Sequence, residues 1–221
     1  MNIFRQLQQG HPEYVPPCIF DVGANVGQTV RQIVSAYPAV PVHAFEPVSS
    51  TFESLRSAVE PLPQVVPHCL ALGSRPGRAI MRAIPGNVTN RILAEPPLHG
   101  QTEEVEVTTG DLFCAAHDIA QIGILKIDAE GHDLEVLVGF RGMLAERRCA
   151  YVQVECGIAP DNRMHVPFFR LADFMFTFGY GLLALNGVAT ANLTTKRRDR
   201  GFWFGNAVFV AERWPEDAVP L

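Results

Sequence analysis

The sequence is poor in the features that would place it in several large protein classes. It has 5 cysteines among 221 residues, an odd number with no C-x-x-C pair. A disulfide framework and a structural zinc site are therefore not expected, and the thiols read as reduced in a cytoplasmic setting. Cys18 and Cys149 lie in apolar runs and read as small core residues. The opening stretch MNIFRQLQQGHPEYVPP has no basic start followed by an apolar segment, so it does not read as a signal peptide. No apolar run approaches the ~18 residues of a membrane span. Basic excess is missing too: the net charge is -5, which removes the electrostatic case for a nucleic-acid partner. Asn87-Val88-Thr89 and Asn192-Leu193-Thr194 match the glycosylation pattern and read as chance matches.

What is present is a succession of short apolar strands and amphipathic helices. Strands are predicted over 18–22, 42–46, 64–72, 122–128, 149–155, 180–185 and 206–211, with β-like pieces at 78–83 and 103–108. Pro67 inside the third strand implies an irregularity. Helices are predicted over 26–37, 48–59, 111–118, 132–145 and from Pro167 to Gly179. Alternating strands and helices predict an α/β fold with a mostly parallel sheet covered on both faces. The last two strands have no helical pattern between them, which leaves room for antiparallel pairing. The chain divides into an N-terminal extension, residues 1–17, and a single domain, residues 18–221. The Pro-, Gly- and Asn-rich stretch 85–101 is a long loop with a functional look.

In such sheets ligands bind beyond the carboxyl ends of the strands. Asp21, Glu46, Asp128 and Glu155 all fall there. The first strand runs into D-V-G-A-N-V-G, where Gly23 and Gly27 permit a tight turn. Asn25 stands where a dinucleotide fold keeps a bare glycine under the pyrophosphate. Glu46, 23 residues after Gly23, is placed to accept both hydroxyls of a ribose. A ribose without a pyrophosphate suggests S-adenosylmethionine, with Asp21 and Asn25 near its amino-acid end.

Further on, LKIDAEGHD puts Lys126 and Asp128 on one face of a strand, followed by Glu130, His132 and Asp133. Asp128 and Glu155 should meet at neighbouring strand ends. A carboxylate or histidine there can remove a hydroxyl proton. Each also has a plain structural reading: carboxylates cap helices and Lys126 neutralises an acid. A divalent cation held by the carboxylates is a further route, but the spacing is not diagnostic and no metal site is expected. The basic run KRRDR (196–200) beside Trp203 reads as a solvated loop, or as a flap over an anionic acceptor.

FDVGANVGQT, HAFEPVSSTFESL, ALGSRPG, LKIDAEGHDLEVLVG and VQVE, in that order, resemble the FkbM-type S-adenosylmethionine-dependent methyltransferases. The resemblance runs from about residue 19 to 155 and more weakly to 185. It implies a Rossmann-like class I methyltransferase fold, a mostly parallel seven-stranded sheet with an antiparallel C-terminal strand. It also implies methyl transfer to a hydroxyl of a small-molecule acceptor, often a sugar or natural-product scaffold. By position, Asp21, Gly23, Asn25 and Gly27 would line the methionine end of the cofactor. Glu46 would hold the ribose, Leu70, Ala71 and Leu72 would flank the adenine, and Asp128 would touch the cofactor. Lys126, Asp128, Glu130 and Glu155 are the catalytic candidates. Asp111 either belongs to the site or caps the helix that follows. The competing functions are a nicotinamide-dependent oxidoreductase, against which Asn25 argues, and a cofactor-binding module without catalysis.

Overall fold

The computed structural model describes residues 3–84, 90–93, 100–188 and 204–212. In chain order the elements are α1 (Ile3–Gly10), β1 (Ile19–Val22), α2 (Gln28–Ala36), β2 (Val42–Phe45), α3 (Ser49–Val59), β3 (Val65–His68) and β4 (Ala71–Leu72). Then come β5 (Gly77–Arg82), β6 (Thr102–Thr108), α4 (Gly110–Ala116), β7 (Ile122–Ile127), α5 (Asp133–Gly139) and α6 (Arg141–Ala145). The chain continues with β8 (Cys149–Gly157), α7 (Phe168–Thr177), β9 (Tyr180–Asn186) and β10 (Phe204–Ala211).

Seven strands form one sheet in the order β3-β2-β1-β7-β8-β10-β9. The first five are parallel, and β10 runs antiparallel to both β8 and β9. β1 and β7 are buried along their whole length, as strands covered on both faces must be. One apolar cluster, around Phe20, Phe140 and Phe209, lies on one side of the sheet. A second, around Ile19, Ile33 and Ile124, lies on the other. The order reverses between β1 and β7, so a crevice opens above their carboxyl ends.

Three details differ from the sequence reading. The predicted strand 64–72 breaks in two: β3 ends the large sheet, while β4 joins a separate three-stranded sheet, β4-β6-β5. Pro67 sits in β3, an edge strand, where its missing N–H leaves no ladder bond unmade. The β-like pieces at 78–83 and 103–108 pair antiparallel as β5 and β6. The predicted helix 132–145 is interrupted at Phe140, because Asp111 takes the backbone N–H groups of Gly142 (2.7 Å) and Met143 (2.9 Å) and starts a new helix there. Lastly, the stretch set apart as an extension folds as α1, with Ile3, Phe4 and Leu7 buried in the second cluster. The other boundaries shift by a residue or two. Pro167 precedes α7 and Gly179 closes it with φ +73°.

Candidate active site

The turn after β1 is shaped by its neighbours. Gly23 has φ +78°, and a Cβ there would lie 1.9 Å from the Asp128 carbonyl oxygen. This glycine therefore lets β1 and the end of β7 approach. Gly23 and Ala24 both donate their N–H to the Phe45 carbonyl, which ties the turn to β2. Asn25 sits in the left-handed region at φ +50°, which its short amide tolerates. Its Oδ1 accepts from the Val26 N–H at 2.8 Å, so that oxygen serves the loop. Gly27, at φ +86°, precedes α2, and a Cβ there would press on Leu55 of α3 at 3.3 Å. It packs two helices and lies away from the cavity walls.

Glu46 closes β2 and is only 7% exposed. One carboxylate oxygen accepts from the Asn25 N–H (3.2 Å) and the other from the Val48 N–H (3.0 Å). Each retains a lone pair for a further donor. Burial pushes this carboxyl up to about 7, against the two backbone bonds that pull it down.

Lys126 of β7 is buried among acids. Its ammonium lies 2.9 Å from Asp21 and 3.5 Å from Asp128. These carboxylates raise Lys126 despite its burial, so it is held as a cation. Burial raises Asp21 while the ammonium opposes the shift. Asp21 is fully buried and absent from the cavity walls. Its expected place beside a ligand is taken by Lys126, for which it is the counter-ion. Neither Asp21 oxygen has a hydrogen bond of good geometry among the described residues, so the ion pair alone offsets its desolvation.

The segment after β7 folds around Asp133, which is fully buried and pushed up to about 6 by burial. It accepts the N–H groups of Ala129 (3.0 Å) and Gly131 (3.1 Å). Gly131 has φ +92°, and a Cβ there would meet the Met164 carbonyl at 2.5 Å. Glu130 is forced to φ +50°, a conformation that costs a side-chain-bearing residue about 1–3 kcal/mol. Burial first, then the nearby Asp128 and Glu155, push its carboxyl up to about 7. Glu155, in β8, pairs with His165 at 3.1 Å. His165 is held on its other side by Asn162 and stacks on Phe204. The pairing with Glu155 raises His165, and burial raises Glu155.

These elements enclose a cavity of about 340 Å³, within the range of small-molecule sites. Gly23, Asn25, Glu46, Leu70, Ala71, Leu72, Lys126, Asp128, Glu130 and His132 line it. Glu155 does not, and it reaches the site through its charge on Glu130. Asp111 lies elsewhere, capping α6, while Thr109 caps α4. Met81 of β5, with Asn90 and Ile92, completes the wall. Met81 went unmarked because its strand was read with no sheet to join, whereas Asn90 and Ile92 fall in the stretch 85–101 that was read as a functional loop. Asp133 was noted without a role, and His165 was passed over because nothing in RMHVP points to a partner in β8. Among the described residues no group of three or more His, Cys, Asp or Glu side chains is arranged to hold a metal ion. The basic run 196–200 and Trp203 lie outside the described residues.

With this geometry in hand, the similarities to known proteins can be placed. The Methyltransferase FkbM domain family matches residues 21–182. The hexuronic acid methyltransferase AglP of Haloferax volcanii is 29% identical over 147 residues, covering 65% of this chain and 58% of that protein. The 31-O-demethyl-FK506 methyltransferase FkbM of Streptomyces tacrolimicus is 29% identical over 151 residues, covering 55% of this chain and 58% of that protein. The chain thus spans less than two thirds of the length of either relative. Among solved structures, TrmK of M. capricolum, in complex with S-adenosyl-homocysteine, superimposes with a TM-score of 0.54 at 9% identity, over 97% of this chain and 70% of that one. Magnesium protoporphyrin IX methyltransferase of Synechocystis PCC 6803, with bound S-adenosylmethionine, gives 0.53 at 10% identity, over 94% and 76%. The seven-stranded order with its antiparallel end and the family match over residues 21–182 lead to one conclusion: the chain belongs to the FkbM methyltransferase domain family and has the class I S-adenosylmethionine-dependent methyltransferase fold.

Proposed function

We propose that this chain is an S-adenosylmethionine-dependent O-methyltransferase acting on a hydroxyl of a small-molecule acceptor, with a sugar as the substrate class. The observation that carries the reading is one cavity lined both by Glu46, from the end of β2, and by Asp128 and Glu130, from the segment after β7. The residues fit the cofactor. Glu46 keeps acceptor capacity for a ribose diol, and Leu70, Ala71, Leu72 and Met81 offer an apolar slot for an adenine. The Gly23–Asn25 backbone and Asp128 are left for the amino-acid end. The sugar class rests on the relative described as a hexuronic acid methyltransferase.

When bound, S-adenosylmethionine supplies a methyl carbon activated by its sulfonium. The protein must then align an acceptor oxygen and take its proton. Glu130 is the group we assign to the proton. It faces the cavity, and a carboxyl held at about 7 is matched to accept a proton near neutrality. Asp128, bridged to Lys126, orients the hydroxyl. The Glu155–His165 pair sets the charge behind Glu130.

Calorimetry and thermal shift test the cofactor. S-adenosylmethionine at a hundredfold over Kd should stabilise the protein by about 2.7 kcal/mol, and NAD should not. Stabilisation by NAD alone would overturn the proposal.

A further inference from the structure

Arg82 and Arg91 present an unusual arrangement. Arg82 ends β5, and the segment at Ile92 folds back onto that strand, with Met81 paired antiparallel to Ile92. The Arg82 N–H donates to the Arg91 carbonyl at 2.9 Å, so the two arginines stand directly opposite each other. Like charges so placed repel and destabilise the pair of strands. Both side chains are partly buried, which removes some of the water that would screen them. Among the described residues neither lies within 4.0 Å of a carboxylate. Arg78, on the same strand, shows the ordinary solution: it pairs with Glu104 at 3.0 Å.

A second cavity of about 140 Å³ is lined by Arg82, Arg91, Glu130 and Met164, so both arginines border one space. Glu130 also lines the large cavity, so the two spaces share that wall. A fork of ten N–H donors, five on each arginine, is a setting for an oxyanion. An oxyanion between them would also offset their repulsion.

We propose that Arg82 and Arg91 form an oxyanion subsite of the acceptor pocket, so that the preferred acceptor carries a carboxylate or phosphate group on the same molecule as the reacting hydroxyl. This rests on the methyltransferase reading of the adjoining cavity and deepens it. The subsite fixes the anionic end of the acceptor, and Glu130, at the shared wall, is reached by a hydroxyl on the other side. Met164 covers the apolar remainder.

The test uses the protein loaded with S-adenosylhomocysteine and titrated with glucuronate, glucose 1-phosphate and glucose. At least one anionic sugar should bind more tightly than glucose, and the tighter of the two tells whether carboxylate or phosphate is meant. Arg82→Ala and Arg91→Ala should each weaken that binding by a factor of about 10 to 100, with Arg→Lys retaining part of it. Affinity for S-adenosylhomocysteine should not change. The melting temperature should not fall, because each alanine removes one of two repelling charges. A purely structural role would lower it. Glucose binding as tightly as both anions, no binding of either anion at millimolar concentration, or unchanged affinity in both alanine variants would overturn the proposal. If S-adenosylhomocysteine itself fails to bind the wild type, the cofactor reading falls separately. The same sugar titrations on the unloaded protein then still decide the subsite.

Discussion

Acidifying the solution from about pH 8 to about pH 6 should weaken S-adenosylmethionine binding roughly tenfold through Glu46 alone. The carboxyl of Glu46 is pushed up to about 7 by burial. Two hydroxyls donating to it require the ionised form. At one pH step below about 7, roughly ten proteins in eleven carry the proton and must release it on binding; one step above, only about one in eleven does. The same shift acts on folding with a defined sign. A carboxyl raised from 4.5 to about 7 contributes stability that is complete below 4.5 and is lost as pH rises through about 7. The loss amounts to about 3 kcal/mol, and a ligand that hydrogen-bonds the ionised form recovers part of it. Calorimetry in buffers of different ionisation enthalpy measures the released proton directly. Glu46→Gln removes the titrating group and puts an amide against the N–H of Asn25 or Val48, so affinity should drop and its pH slope should flatten. Glu130→Gln should keep the slope, which separates the two groups held near the same value. The reasoning is refuted by a flat wild-type affinity between about pH 6 and 8, or by an unchanged slope in Glu46→Gln.

Other outcomes follow from single residues. Glu130→Gln should lower kcat by about 10²–10⁴-fold while leaving cofactor affinity within twofold or so, read from kinetics and calorimetry on one preparation. Asp111→Ala should cost about 1–2 kcal/mol in denaturant unfolding, with kcat unchanged, because it uncaps α6 far from the cavity. Gly23→Ala should lose more than about 2 kcal/mol or fail to fold, since the added carbon overlaps the Asp128 carbonyl. A variant with wild-type melting would show that the turn has room to relax.

Much of this architecture was legible because parallel strands buried on both faces read as short apolar runs, and five of them were bounded by acids, glycines or prolines. Of the four acids read at strand ends, where such sheets bind ligands, Glu46 and Asp128 line the cavity, and so does Glu130 from the turn that follows. Gly23 was marked as a ligand contact, yet its freedom is used by Asp128 across the sheet, a contact no local pattern shows. Asp21 was placed beside the cofactor for the same reason. Only the pairing of β1 with β7, Asp21 opposite Lys126, reveals that it serves the lysine. The β4-β6-β5 sheet escaped because β4 is two residues long, too short for any periodicity. With it went Met81, one part of the apolar wall of the cavity.

The helix α1 is fastened to a distant part of the sequence. Gln6 and Asn186, 180 positions apart in the sequence, exchange amide hydrogen bonds in both directions, at 2.8 and 2.6 Å. Ile3, Phe4 and Leu7 share their apolar cluster with Val208. On a ribosome adding roughly 5–20 residues per second, α1 is made well before β9 and β10 and waits about ten seconds or more for them. During that interval Ile3, Phe4 and Leu7 have no finished surface to cover them. The docking of α1 therefore cannot be completed until β9 and β10 have been made, so residues synthesised early in this domain reach their place late.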